Sequence, residues 1–99
     1  MIAISARVVL AAESVAAFAQ AALPIIPATR GEAGSMLYAI SHDIENPNVF
    51  WISEEWESEQ ALQDHLKSPH VTAFLAIVAT LQMLSLDVRK YQVSSVGGL

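Results

Sequence analysis

The stretch that decides the fold is FWISEEWESEQALQDHLKSPHVTAF, residues 50–74. Its first seven residues alternate, which places Phe50, Ile52, Glu54 and Trp56 on one face of a predicted strand. Ser58 then provides a side-chain oxygen that can cap a helix over EQALQDHLK. Ser68 caps a second helix, for which Pro69 is a favourable first residue. The stretch therefore predicts a strand followed at once by two short helices.

The rest of the chain supplies three more strands and one more helical region. Residues 2–10 and 35–44 alternate as strands, and residues 85–96 close the chain as another. Residues 12–23 have helical spacing, and we expect Pro24 and Pro27 to break or kink that helix. Residues 24–34 are then a second short helical or irregular piece that ends near Gly34. The helix that Pro69 opens is predicted to continue to about Leu84. This element order predicts an α+β fold of the ferredoxin-like, split β-α-β type, with helices on one face of a four-stranded antiparallel sheet.

Composition favours one small domain, residues 1–99, that associates with a second copy. Of its 99 residues, 54% are hydrophobic, against roughly 45–50% in typical domains, and none is cysteine. A chain of this size has a thin core and no disulfide to stabilise it. We therefore expect a homodimer.

Charge and motif content exclude several classes of function. The net charge is −5 with only five Lys and Arg residues, and they form no basic stripe, so we expect no nucleic-acid partner. Arg7, Glu13 and Ser14 interrupt the apolar N-terminal region before it could span a membrane, which predicts a soluble cytoplasmic protein. The chain has no nucleotide, flavin or nicotinamide motif, and the spacing of His65 and His70 makes them a poor metal pair. We expect no cofactor.

Two histidines and one glutamate are candidates for acid–base chemistry. His65 lies at the edge of the apolar face of its helix, so it is either a boundary residue that covers apolar surface or a proton acceptor in a pocket. His70 follows the start of its helix, where the helix dipole disfavours the imidazolium, and could be a surface residue or form one hydrogen bond. Glu54 shares its strand face with apolar residues. It is buried if that face meets the helices and is an ordinary surface acid if it does not.

The sequence resembles the antibiotic biosynthesis monooxygenase (ABM) domain family, whose members include quinol monooxygenases. The resemblance rests on TRGEAGSMLYAIS, residues 29–41, together with the stretch quoted above. The matching positions are Gly34, Tyr38, Glu54, Trp56, His65, Ser68, His70 and Phe74. It implies a dimeric α+β barrel with a pocket between sheet and helices. It also implies oxidation of an aromatic substrate by O2 without metal, flavin or haem, after a base has deprotonated that substrate.

Position by position, the resemblance implies a quinol-like or phenolic substrate. Ile52 and Leu62 replace the asparagine and tyrosine of polyketide-acting members, and Leu75 replaces the iron-binding histidine of the haem-degrading branch. The resemblance assigns catalysis to His65, with Glu54 as its partner or an alternative base. The residues assigned to substrate binding are Tyr38, Ile52, Trp56, Leu62, His70 and Phe74. If the strand faced the other way, Trp51 and Glu55 would replace Trp56 and Glu54.

Two other functions remain open on the sequence. The same pocket could serve an isomerase or a degradation enzyme for a small oxygenated metabolite, with His65 and Glu54 moving protons and no O2 consumed. The chain could instead be a non-catalytic ligand-binding or dimerisation module. The latter predicts a pocket that is collapsed or tightly filled by side chains.

Overall fold

Four antiparallel strands form one sheet, and three α-helices cover one of its faces. The computed structural model describes all of residues 1–99. The strands are β1 (Ile2–Leu10), β2 (Ser35–His42), β3 (Val49–Trp56) and β4 (Met83–Gln92), and the helices are α1 (Val15–Arg30), α2 (Glu59–Leu66) and α3 (Pro69–Val78). The spatial order is β2-β3-β1-β4. This is the ferredoxin-like α+β arrangement that the sequence predicts.

The even-numbered residues of the two central strands face the helices. Ile2, Val8 and Leu10 of β1 are buried, as are Phe50 and Trp56 of β3. The register pairs Val8 with Phe50 and Ile4 with Glu54, so the helix-facing sides of the two strands coincide. The face of β3 that carries Glu54 and Trp56 is therefore the one that meets the helices, which the sequence left open, and Trp51 and Glu55 lie on the opposite face of the sheet.

The first helix is continuous, and the predicted break at its prolines is wrong. α1 runs from Val15 to Arg30 with Pro24 and Pro27 inside it. Both prolines are on the exposed side, where water can satisfy the carbonyls that lose a backbone partner. Phe18 and Ile25 are buried on the opposite side of the helix. Packing of that buried face stabilises the helix, so it continues past two prolines that local propensity disfavours.

The third helix is shorter than predicted, ending at Val78 instead of near Leu84. Gln82 is held at the end of β1, because its carbonyl accepts a hydrogen bond from Ala11 N at 2.9 Å and its N–H donates to Ser14 Oγ at 3.0 Å. The chain must therefore leave the helix in time to enter β4. The predicted caps at the starts of α2 and α3 are both present: Ser58 Oγ accepts from Ala61 N and Ser68 Oγ accepts from Val71 N.

Gly34 brings the turn before β2 against α2. Its φ of +83° is in the left-handed region that favours glycine, and a Cβ at this position would lie 2.6 Å from the Cβ of Ala61. Its carbonyl accepts a hydrogen bond from Glu57 N at 2.9 Å. This close contact positions the segment between α1 and β2, which contains Glu32. None of the three helices has both the length and the hydrophobicity that a membrane span requires.

Candidate active site

A cavity of about 380 Å³ lies between the helix-facing side of the sheet and the helices. Sixteen of its twenty lining residues are hydrophobic. The remaining four are Glu54, Gln63, His65 and Lys90. A largely apolar cavity with a few convergent polar groups is the usual form of a small-molecule site.

His65, near the end of α2, is buried and held by a carboxylate. Its Nδ1 lies 2.6 Å from Glu32 Oε2, and the ring packs 4.6 Å from that of Trp56, measured between centroids. A carboxylate oxygen can only accept, so Nδ1 carries the hydrogen of this bond. Nε2 forms no hydrogen bond within the chain, and its nearest acid oxygen is Glu54 Oε1 at 3.9 Å. When the imidazole is neutral, Nε2 therefore has a free lone pair.

Glu54 lies on β3 opposite His65 and is mostly buried. Trp56 Nε1–H donates to Glu54 Oε1 at 2.9 Å, which fixes the carboxyl against the sheet. Burial raises the pKa of Glu54 because the charged form loses solvation. The hydrogen bond from Trp56 and the proximity of His65 act in the opposite direction. The buried alternative of the two that the sequence left open is therefore the observed one.

Tyr38 presents a phenol to the same cavity from β2. The residue is 4% exposed, and its ring centroid is 5.6 Å from that of His65. Its pKa is raised far above the usual range, first by burial and then by Glu54 and Glu32. The hydroxyl therefore keeps its proton at any ordinary pH and can act as a hydrogen-bond donor to a bound molecule.

Most of the residues assigned to the site from the sequence line this one cavity. They are Tyr38, Ile52, Glu54, Leu62, His65 and Phe74. Two residues assigned to substrate binding do not line it. Trp56 is fully buried behind Glu54 and His65, and His70 lies by a smaller depression between α1 and α3.

Glu32 is the residue of this site that sequence reasoning missed. It lies between α1 and β2, and its Oε2 is 2.6 Å from His65 Nδ1 and 3.3 Å from His70 Nε2. The one sequence feature that points to it is its position as an acid in the segment TRGEAG, just before the turn at Gly34. Sequence separation hides the contact, since Glu32 and His65 are 33 positions apart.

The same cluster brings together groups that can bind a metal ion. Glu32, His65 and His70 each offer one ligand atom, and these atoms lie within 4.8 Å of one another. The sequence spacing of the two histidines argued against a metal pair. The spacing could not show that a third residue from another part of the chain lies between them.

Comparison with known proteins agrees with this architecture. The family model described as antibiotic biosynthesis monooxygenase matches residues 1–77, more than half of the chain. The chain belongs to the ABM family. No protein of curated function matches the sequence significantly.

Solved structures of similar proteins superpose along nearly the whole chain. A Deinococcus radiodurans protein, named provisionally as an antibiotic biosynthesis monooxygenase, is 29% identical with a TM-score of 0.91, over 100% of this chain and 98% of its own. A Mycobacterium tuberculosis protein is 23% identical with a TM-score of 0.89, covering 98% of each chain. A Nitrosomonas europaea protein is 17% identical with a TM-score of 0.89, over 96% of this chain and 100% of its own. The last two support the fold alone.

Proposed function

We propose that this ABM-family chain is a monooxygenase that oxidises a small quinol-like or phenolic molecule with O2, with no cofactor taking part in the reaction. One observation carries the proposal. His65 lines an apolar cavity with its Nδ1 hydrogen-bonded to Glu32 and its Nε2 without a partner. A carboxylate that orients an imidazole in this way leaves the other nitrogen available as a general base.

His65 Nε2 would accept the proton of the substrate hydroxyl. The resulting phenolate is far more electron-rich than the phenol and is the form that reacts with O2. Glu32 stabilises the imidazolium that forms, because its carboxylate lies against Nδ1. Glu54 Oε1, 3.9 Å from Nε2, contributes a second negative charge on the cavity side.

The overall reaction balances without an external reductant. A phenol with a free ring position and one O2 give a quinone and one water, and the substrate supplies all four electrons. The phenolate transfers an electron to O2, and the radical pair combines to form a C–O bond to a peroxide. The outer peroxide oxygen takes the proton held by His65. Loss of the ring proton to Glu54 or solvent then breaks the O–O bond and expels hydroxide, which takes up that second proton and leaves as water. The inner oxygen becomes the new carbonyl.

The cavity wall suits an aromatic ring. Ile52, Leu62 and Phe74 supply apolar contacts, and Phe74 also packs edge-on against Phe18 at 5.6 Å. An apolar wall keeps water from the reactive anion. The Tyr38 hydroxyl can donate to a substrate oxygen, which would orient the ring toward His65.

Oxygen consumption tests this function directly. The purified chain, treated with chelator to remove metals, is mixed with a panel of phenols and hydroquinones while O2 uptake and quinone absorbance are recorded. We expect one O2 per quinone formed and no hydrogen peroxide, with a loss of about 100-fold or more in His65→Ala. Absence of turnover across the panel, or equal turnover in His65→Ala, would reject the proposal.

An isomerase using the same residues is the second candidate. It is supported by the position of two acid–base groups, His65 and Glu54, on one wall of the cavity. Such an enzyme would convert its substrate at the same rate with and without O2, so anaerobic assays separate the two. The third alternative, a non-catalytic ligand-binding or dimerisation module, predicts a collapsed or tightly filled pocket, and the open cavity argues against it.

We also propose that the chain forms a homodimer through its C-terminal strand. β4 is an edge strand, and its helix-facing side is not covered by a helix of the same chain. Leu84, Leu86 and Val88 are more than half exposed there. Two of them, Leu86 and Val88, also line the cavity, so a second copy on this surface would close the cavity at β4.

A further inference from the structure

Three side chains converge on the side of His65 that faces away from Glu54. They are Glu32, from the segment after α1, His65, near the end of α2, and His70, in the first turn of α3. Their ligand atoms lie within 4.8 Å of one another. We propose that they form a binding site for a divalent transition-metal ion, with two imidazole nitrogens and one carboxylate oxygen as ligands.

The lack of a hydrogen-bond partner for His70 supports the binding of an ion between these three side chains. Its Nε2 is buried and forms no hydrogen bond, although Glu32 Oε2 is only 3.3 Å away. Buried nitrogens of this kind normally have a partner, because a buried polar atom without one loses the hydrogen bond that it would make with water. A metal ion between His70 and Glu32 would satisfy both atoms.

The ligand set selects the class of ion. Imidazole nitrogens suit Zn²⁺ and its neighbours in the first transition row, whereas Mg²⁺ and Ca²⁺ require mainly oxygen ligands. In a tetrahedral zinc site the ligand atoms are roughly 3.3 Å apart, given bonds of about 2.0–2.1 Å. The separation of His70 Nε2 from Glu32 Oε2 already matches this, and the 2.6 Å contact between Glu32 and His65 would lengthen as the ion replaces the shared proton.

Ion binding would change which nitrogen of His65 carries its proton. A metal on Nδ1 requires the hydrogen on Nε2, which faces Glu54. Glu54 would then act as the outer carboxylate that orients a metal-bound histidine, an arrangement common in metalloproteins. The lone pair that the cavity offers to a substrate would be lost, so the ion would inhibit the enzyme. This consequence rests on the proposed function, whereas the binding of the ion does not.

Zn²⁺ binding to the metal-free chain is the first measurement. Competition with a chromophoric chelator gives the stoichiometry and the dissociation constant, and we expect one Zn²⁺ per chain. Glu32→Gln and His70→Gln should each weaken binding by about tenfold or more. His42→Gln is the matched control, because His42 stacks on Phe50 outside the cluster and should bind as the wild type does.

Folding of each variant is checked by circular dichroism. His70→Gln keeps the test decisive if Glu32→Gln fails to fold, since His70 is partly exposed at the start of α3. Wild-type affinity in His70→Gln would overturn the proposal. Binding of less than one Zn²⁺ per chain, or binding lost equally in His42→Gln, would overturn it too.

Histidine NMR provides a readout that does not depend on activity. In long-range ¹H–¹⁵N spectra, His65 of the metal-free chain should show the proton on Nδ1, and saturation with Zn²⁺ should move it to Nε2. A proton that stays on Nδ1 in the zinc-saturated chain would overturn the assignment. If the tautomer changes as expected but the chain oxidises no phenol, the metal site stands and only the proposed function fails.

Discussion

His65 Nδ1 lies 2.6 Å from Glu32 Oε2, a contact that joins α2 to the segment between α1 and β2. The imidazole also packs against the indole of Trp56, so its ring plane is held from two directions. The second nitrogen is thereby held facing Glu54 and the cavity. This relationship determines both the chemistry that we propose for the cavity and the metal site behind it.

Replacing Glu32 by Gln should reduce turnover of a phenolic substrate by about 10- to 100-fold. The amide can still accept a hydrogen bond, but it cannot stabilise the imidazolium and can also donate, which allows the wrong tautomer of His65. We expect the loss mainly in kcat, measured by O2 uptake, with KM nearly unchanged.

The matched control for this change is Glu45→Gln. Glu45 is an exposed loop residue, so the substitution removes the same charge far from His65. Equal kcat in Glu32→Gln and Glu45→Gln would mean that Glu32 does not orient the base.

Replacing Glu54 by Gln should stabilise the chain at neutral pH. The pKa of Glu54 is raised by burial, so the folded state binds this proton more tightly than the unfolded state. The wild-type chain therefore gains stability from this group as the pH falls through the raised pKa, and the ionised carboxylate costs stability above it. Glutamine avoids that cost and can still accept from Trp56. We expect thermal unfolding a few degrees higher at pH 8, with the difference disappearing at pH 4.

Glu55→Gln is the control for net charge, since Glu55 is the next residue on the other face of β3. Only Glu54→Gln should show the pH-dependent increase. A lower midpoint for Glu54→Gln at pH 8 would show that the charged form is stabilised in the folded chain.

The fold was largely predictable because alternation and helix caps are local signals. Alternation groups Phe50 with Trp56 on one face of β3, although it does not say which face meets the helices. Both helix starts after it follow from Ser58 and Ser68. The continuous α1 was not predictable. Local propensity predicts that two prolines interrupt a helix. Whether the helix continues depends on which side of it the prolines occupy and on how well the other side packs.

The site was only half predictable for a similar reason. Residues that lie on one strand or one helix face could be grouped from the sequence, and two of the candidates, Glu54 and His65, line one cavity. The contact with Glu32 depends on a turn in which Gly34 approaches Ala61 of α2, and no local pattern encodes that approach. Trp56 shows the converse error, because an aromatic residue on the right face can be packed behind the cavity wall without lining it.

Replacing Gly34 by Ala should destabilise the chain by roughly 2–3 kcal/mol. The new Cβ would be in the left-handed region and would meet the Cβ of Ala61 at 2.6 Å. We expect the thermal midpoint to fall by about 8–24 °C, since 1 kcal/mol shifts a chain of this size by about 4–8 °C.

Gly31→Ala provides a control of opposite sign. Gly31 has a φ of −83°, and a Cβ there would be 3.6 Å from its nearest neighbour. The substitution should stabilise the chain by about 0.4–1 kcal/mol, because it restricts the unfolded state at no cost in the folded one. Similar losses in both variants would mean that the turn adopts another conformation in solution.

Replacing Leu86 by Glu should disrupt the dimer that we propose. Leu86 is 55% exposed on the uncovered side of β4, so a charge there is tolerated in the monomer and is costly at a buried contact. Sedimentation analysis should show twice the chain mass for the wild type and a shift toward the chain mass for the variant. Leu23→Glu, on an equally exposed site of α1, should remain dimeric. A wild-type chain that sediments as a monomer at high concentration would contradict the prediction.

Replacing Ile52 by Phe should fill part of the cavity and exclude large substrates selectively. Ile52 is half-buried and lines the cavity, so a phenylalanine at this position can extend its ring into empty space at a cost below about 1.5 kcal/mol. We expect kcat/KM for a two-ring phenol to fall by about tenfold, equivalent to about 1.4 kcal/mol, with a smaller loss for a one-ring phenol. Ile44→Phe is the control, because Ile44 is fully exposed in the loop after β2. Unchanged size selectivity in Ile52→Phe, in a variant that unfolds at the wild-type temperature, would mean that the substrate binds elsewhere.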